Sequence, residues 1–99
     1  MTEIVDFNDV KEQQKIQVID KLLSTLPPRD ERCLRMHFGI GTGKPQTLEE
    51  IAKTFNVEPY RVRQVIAKAL RKMCHPSRVK VLQENGYDSF EAYLKELYN

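Results

Sequence analysis

The sequence predicts an all-α domain built around a helix-turn-helix, and three observations carry that expectation. Apolar residues recur at spacings of three and four, and strict alternation never extends beyond four or five residues, so helices are favoured over strands. The periodic stretches are separated by helix punctuation, at Pro27-Pro28, Gly39, Asn56, His75-Pro76 and Asn85-Gly86. Finally, 99 residues make one domain with a thin core, too small for the layered core of a large enzyme.

The elements follow in chain order. Ile16, Ile19, Leu22, Leu23 and Leu26 give a first helix from about Asn8, which Pro27 ends because it offers no amide. Pro28 suits the first turn of a second helix, Asp30 and Glu31 favour its positive end, and Cys33, Leu34, His37 and Phe38 form its apolar stripe. Gly39 is the expected C-terminal cap. The following Gly-Ile-Gly-Thr-Gly-Lys-Pro stretch reads as a loop. It is not a phosphate cradle, because Pro45 follows the lysine and a helix, not a strand, precedes it. Thr47-Leu48-Glu49-Glu50 matches a capping box that starts a third helix at Leu48. A fourth, long helix is expected from Pro59 to Met73 or Cys74. A last one is expected after a second capping box at Asp88 and Glu91, with Phe90, Tyr93, Leu94, Leu97 and Tyr98 as its stripe. The domain is thus expected to have four to five helices: a core over residues 8–80 and an extra C-terminal helix within 81–99.

Charge is distributed unevenly. Residues 58–80 carry seven bases and one acid, whereas residues 1–20 and 81–99 are each net −3. A basic block between acidic ends is a footprint for phosphate when its bases share one helix face. No apolar run approaches the roughly 20 residues of a membrane span, and the acidic first twenty residues are unlike a targeting leader, so a cytoplasmic chain with no membrane partner is expected. Cys33 and Cys74 are too few for a disulfide framework. Together with His37 and His75 they lack zinc-site spacing, so no metal and no cofactor are expected. No nucleophile, base and orienting acid come together in the pattern, so the chain is expected not to be an enzyme.

From Leu48 onward the residues fit a helix-turn-helix. Leu48 and Ile51 face the core, Ala52 is small at the helix crossing, Phe55 closes the short helix, and Asn56 suits a left-handed turn. Val57, Val62 and Val65 are expected to complete the core of the pair, with Ala69 and Met73 continuing inward. The outward face then holds Glu58, Pro59, Tyr60, Arg63, Gln64 and Ala67, the groove-facing positions. Arg63 can pair with guanine, Gln64 with adenine, and Tyr60 can stack on a thymine methyl or hold a phosphate. Arg61, Lys68, Arg71, Lys72, Arg78 and Lys80 are expected to serve phosphates or a protein neighbour. Thr47 is counted with the DNA-contacting set.

Four segments, Leu34-Arg35-Met36-His37-Phe38-Gly39-Ile40, Thr47-Leu48-Glu49-Glu50-Ile51-Ala52-Lys53, Arg61-Val62-Arg63-Gln64-Val65 and Ala67-Lys68-Ala69-Leu70-Arg71-Lys72-Met73, precede His75-Pro76-Ser77-Arg78 in fixed order. Together they strongly resemble the C-terminal domain, region 4, of primary-type bacterial RNA polymerase sigma factors, over roughly residues 20–80. The resemblance implies a domain that reads the promoter minus-35 element of double-stranded DNA and docks on the flap tip of the polymerase β subunit. It places docking on Leu34, Phe38 and Ile40, with Phe38 the better docking candidate and Ile40 the better core candidate. It also implies a basic face of Arg63, Lys68, Arg71 and Lys72 for an activator or anti-sigma protein.

Departures from that pattern carry information. The family usually has Arg-Glu where this chain has Pro59-Tyr60, so an altered or weakened minus-35 preference is expected. Cys74 stands where the family has a base. The family normally ends soon after His-Pro-Ser-Arg, and the stripe of the extra helix either folds back on the core, the favoured reading, or docks on a partner. Three functional readings remain: the promoter-binding domain of a sigma factor; a free-standing, phage or mobile-element sigma-like protein that redirects or inhibits polymerase; and an ordinary helix-turn-helix regulator. Met1 and the tail favour the second over the first, and the resemblance outside the helix-turn-helix counts against the third. With no segment for melting DNA or binding the minus-10 element, this chain alone is expected not to start transcription.

Overall fold

The computed structural model describes residues 17–97. The expected start of the first helix at Asn8, and the stripe positions Ile16 and Tyr98, lie outside them. Six helices occur among the described residues: α1 (17–24), α2 (Pro28–Phe38), α3 (Leu48–Phe55), α4 (Pro59–Met73), α5 (Pro76–Glu84) and α6 (Phe90–Leu97). The all-α expectation holds, with one helix more than the pattern gave.

The punctuation explains the boundaries. Pro27 adopts an extended backbone and Pro28 opens α2, where the missing amide costs nothing. Gly39 caps α2 in the left-handed conformation at φ 72°. A Cβ there would lie 3.0 Å from Pro45 Cδ and backbone N, so both torsion and space demand glycine. The loop after it is tied back to α2: Gln46 N donates to Met36 O (3.0 Å), and Gln46 O lies 3.1 Å from His37 Nδ1. The Thr47 box is present, with Glu50 N donating to Thr47 Oγ1 at 3.1 Å and Thr47 N to Glu50 Oε1 at 3.3 Å.

The unexpected helix is α5. Reading His75-Pro76 only as a stop missed that proline is also a good first helical residue, and His75 acts as a cap whose Nδ1 accepts from Ser77 N at 3.2 Å. Its single fully buried residue, Leu82, leaves almost no periodic stripe to read. The start of α6 also differs from expectation. Ser89, not Asp88, caps it, its hydroxyl accepting from Ala92 N at 3.1 Å.

One apolar core joins all six helices. Ile19, Leu22, Leu23 and Leu26 bring in the α1 region, Cys33 and Leu34 bring in α2, Ile51 and Ala52 bring in α3, and Leu82 brings in α5. α2 and α3 both pack on α4, the spine of the fold. Its inward stripe is Val62, Ile66, Ala69 and Met73, all buried. Ile66 replaces the expected Val65, which is half-buried on the flank; spacings of four, three and four keep the stripe straight along the axis. Val57 is not a core residue, since it is 37% exposed in the turn. The C-terminal stripe folds back, with Tyr87, Phe90 and Tyr93 buried and Leu94 packed against the core, while Leu97 stays exposed.

Candidate nucleic-acid interface

The turn between α3 and α4 is set by Asn56, the one non-glycine with positive φ among the described residues (54°). Its side chain tolerates this conformation better than a branched one would. Val57 N donating to Ala52 O at 3.0 Å closes the turn, and Pro59 opens α4. Because α3 and α2 hold the inward stripe of α4, the opposite face is turned to solvent. Tyr60, Arg61, Arg63, Gln64, Ala67, Lys68 and Arg71 are all exposed there, whereas Pro59 is half-buried. Thr47 is exposed at the N-terminus of α3, where its hydroxyl is engaged in the cap.

The ion pairs divide the bases into two sets. Lys72 Nζ lies 3.0 Å from Asp30 Oδ2, and Arg78 donates to Lys72 O (3.0 Å) and Thr25 Oγ1 (3.2 Å). Lys72 and Arg78 therefore clamp the end of α4 to α2 and to the α1–α2 connection. Both were expected to serve phosphates or a protein neighbour, and each makes an internal contact of this kind. Arg35 is bound to Asp20 (2.9 Å) and Glu31 (3.0 Å); burial opposes its charge, but the two carboxylates prevail and raise its pKa. Among the described residues, Arg61, Arg63, Lys68 and Arg71 form no ion pair. They leave a cationic face without internal neutralisation, the condition for binding phosphate.

Two further features lie at the N-terminal end of α4. The Arg61 guanidinium sits 5.3 Å from the centroid of the Tyr60 ring, within cation–π range. Beside it a cavity of about 300 Å³ runs between α2 and the turn, lined by Arg29, Cys33, Phe55, Val57, Arg61 and Val65 among others. Arg32 covers the Phe55 ring at 4.9 Å. Burial pushes the Cys33 thiol up, partly offset by Arg29.

The residues expected to dock a protein partner are placed differently. Leu34 and Ile40 are buried in the core and support the surface from beneath; neither side chain is presented to solvent. Phe38 is half-buried, packed against the core and edge-on to His37 at 4.9 Å. Sequence reasoning missed the Asp30 clamp on Lys72, because a contact across 42 residues leaves no local spacing to read.

The profile of the family described as Sigma-70, region 4 matches residues 22–75, which run from α1 through the end of α4. The chain belongs to this family. Region 4 is a DNA-binding, non-catalytic helix-turn-helix domain of the sigma factors of transcription. Among relatives, the RNA polymerase sigma factor SigA of Clostridium acetobutylicum is 55% identical over 64 residues, covering 65% of this chain and 17% of that protein. SigA of Nostoc sp. and SigA1 of Synechococcus elongatus are each 48% identical over 66 residues, 67% of this chain and 17% and 16% of theirs. The chain thus spans about a sixth of the length of these relatives. Helices α5 and α6 lie beyond the matched segment. No helix among the described residues is long and apolar enough to cross a membrane.

Proposed function

We propose that this chain is a promoter-recognition module of RNA polymerase in which α4 enters the major groove at the minus-35 element. The observation that carries the reading is the unpaired basic face of α4, inside the segment that matches region 4. Arg63 and Gln64 take base edges, and Arg61, Lys68 and Arg71 take phosphates. Pro59 offers no donor and Tyr60 cannot accept from cytosine as a carboxylate does, so preference is shifted away from the usual minus-35 consensus. The side of α2 that carries Phe38, supported by Leu34 and Ile40, docks on the β flap tip. Arg63, Lys68 and Arg71 leave a face that an activator or anti-sigma protein can use.

Two measurements test this. The full chain should capture core polymerase and lose it when the β flap tip is deleted. Phe38→Ala should weaken that capture while the domain stays folded. Duplex DNA binding should fall with salt at a slope of about −3 on logarithmic axes, as three phosphate contacts give. Capture that persists without the flap tip would remove the docking assignment, and salt-independent DNA binding would remove the electrostatic one.

A further inference from the structure

Large apolar side chains are exposed at three places among the described residues: Val57, Tyr60 and Leu97. Leu97 is on α6, but the other two flank the first turn of α4, the end that leads into the groove. Tyr60 is the most open of the three at 53% exposure, although it stands among charged neighbours. An aromatic ring held in water at this point has no packing role. It is also oriented, because the Arg61 guanidinium rests over it at 5.3 Å, on a side chain that forms no ion pair among the described residues. A ring with one face engaged by a cation keeps its other face and its edge for something apolar.

In the major groove the apolar feature is the 5-methyl group of thymine. Gln64 lies four residues after Tyr60 and therefore on the same face of the helix. Four residues advance about 6 Å along a helix, against about 3.4 Å per base pair, so the two side chains address positions no more than about two base pairs apart. We propose that Tyr60 is a specificity residue that reads a thymine methyl, within two base pairs of an adenine held by Gln64, while Arg61 orients the ring and carries the adjacent phosphate. This rests on the promoter reading above and sharpens it. The hydroxyl of Tyr60 is not the reading group. A phosphate role for it would be redundant beside Arg61 and would not explain why an apolar ring, one helical turn before Gln64, is kept in solvent.

The test uses the full chain and the best duplex selected from a random pool at low salt. Each thymidine in that duplex is replaced in turn by deoxyuridine, which removes the methyl group and leaves every hydrogen-bonding edge unchanged. One replacement should weaken binding about fourfold, the worth of burying a single methyl. Tyr60→Ala should abolish the difference between the thymidine and deoxyuridine duplexes, and Tyr60→Phe should keep it. Arg61→Ala, which removes the cation over the ring together with the phosphate contact, should lower affinity for both duplexes and narrow the difference between them. Helicity of each variant, read by circular dichroism, should match the parent, since Tyr60 is not part of the core. The inference is overturned if no deoxyuridine position matters, if the difference survives in Tyr60→Ala, or if Tyr60→Phe loses it. A chain that selects no duplex at all overturns the promoter reading itself, a separate result from selection without methyl sensitivity.

Discussion

The α2–α4 unit and the α5–α6 extension are built on opposite principles within one core. In the first, aliphatic residues fill the interior, tight caps at Gly39, Thr47 and Asn56 fix the end of α2 and both ends of α3, and an ion pair from Asp30 to Lys72 locks the ends of two helices together. Its outer face is left basic and unpaired. In the extension, the packing is aromatic: Tyr87 meets Tyr93 edge-on at 5.5 Å, and Phe90 lies 5.6 Å from Tyr93. Residues 81–99 are net −3, where residues 58–80 are net +6. The first region reserves its surface for a ligand, and the second puts its large side chains inside. The extension therefore contributes to the thin core and leaves the basic face open.

The sharpest way to break that comparison is Phe90→Ala. Phe90 is 2% exposed and sits in the same cluster as Leu23, Met73 and Leu82. Its loss should cost about 3 to 5 kcal/mol, within the range for a buried phenylalanine. Thermal unfolding should show one transition moved down as a whole, because the core is continuous. If α6 were only an appendage, the main transition would stay in place and a small early one would appear.

The two regions were unequally legible in the sequence, and the reason is physical. Gly39, Thr47 and Asn56 announce their conformations because each is a residue type whose torsion or side-chain geometry suits one backbone role. The α4 stripe was legible to within one position, where Ile66 lies inward and Val65 on the flank; two adjacent branched residues satisfy helical spacing equally well until a partner helix chooses between them. α5 was not legible, since a helix held by capping and one fully buried leucine presents little periodicity. Exposure was the least readable quantity. Val57 is as apolar as Val62, yet one is 37% exposed and the other 1%. Among the basic residues, Lys72 and Arg71 are neighbours in sequence with opposite assignments, because only Lys72 meets Asp30.

That last contrast yields the next prediction. Arg63→Ala should cost about 1 to 3 kcal/mol on the best duplex and blur one base position. Lys72→Ala should change DNA affinity little and instead lower stability by up to about 1 kcal/mol, the scale of a partly exposed pair. Asp30→Ala should reproduce the stability loss, and adding it to Lys72→Ala should bring little more, since the two residues share one interaction. Equal loss of DNA affinity in the Arg63 and Lys72 variants would undo the division of the bases into free and clamped sets.

The smallest effect is confined to alkaline pH and concerns the aromatic packing of the extension. Burial pushes the Tyr93 hydroxyl up to about 12, and the negative charges that Tyr87 and Asp20 can bring add to it, against a smaller pull from Arg35. The raised value means that the folded state favours the neutral phenol more strongly than the unfolded chain does. The corresponding stability is fully present below the ordinary tyrosine value of about 10, and is lost as pH climbs through about 12. Tyr93→Phe keeps the ring and removes the ionisable group. Denaturant midpoints of the two proteins should therefore run parallel up to about pH 10 and diverge above it, the parent falling faster. Matching curves across the whole range would mean that Tyr93 ionises as freely in the folded chain as in the unfolded one. The ring contacts to Tyr87 and Phe90 would then not exclude water from its hydroxyl, and the tight aromatic packing that sets the extension apart from the α2–α4 unit would be lost.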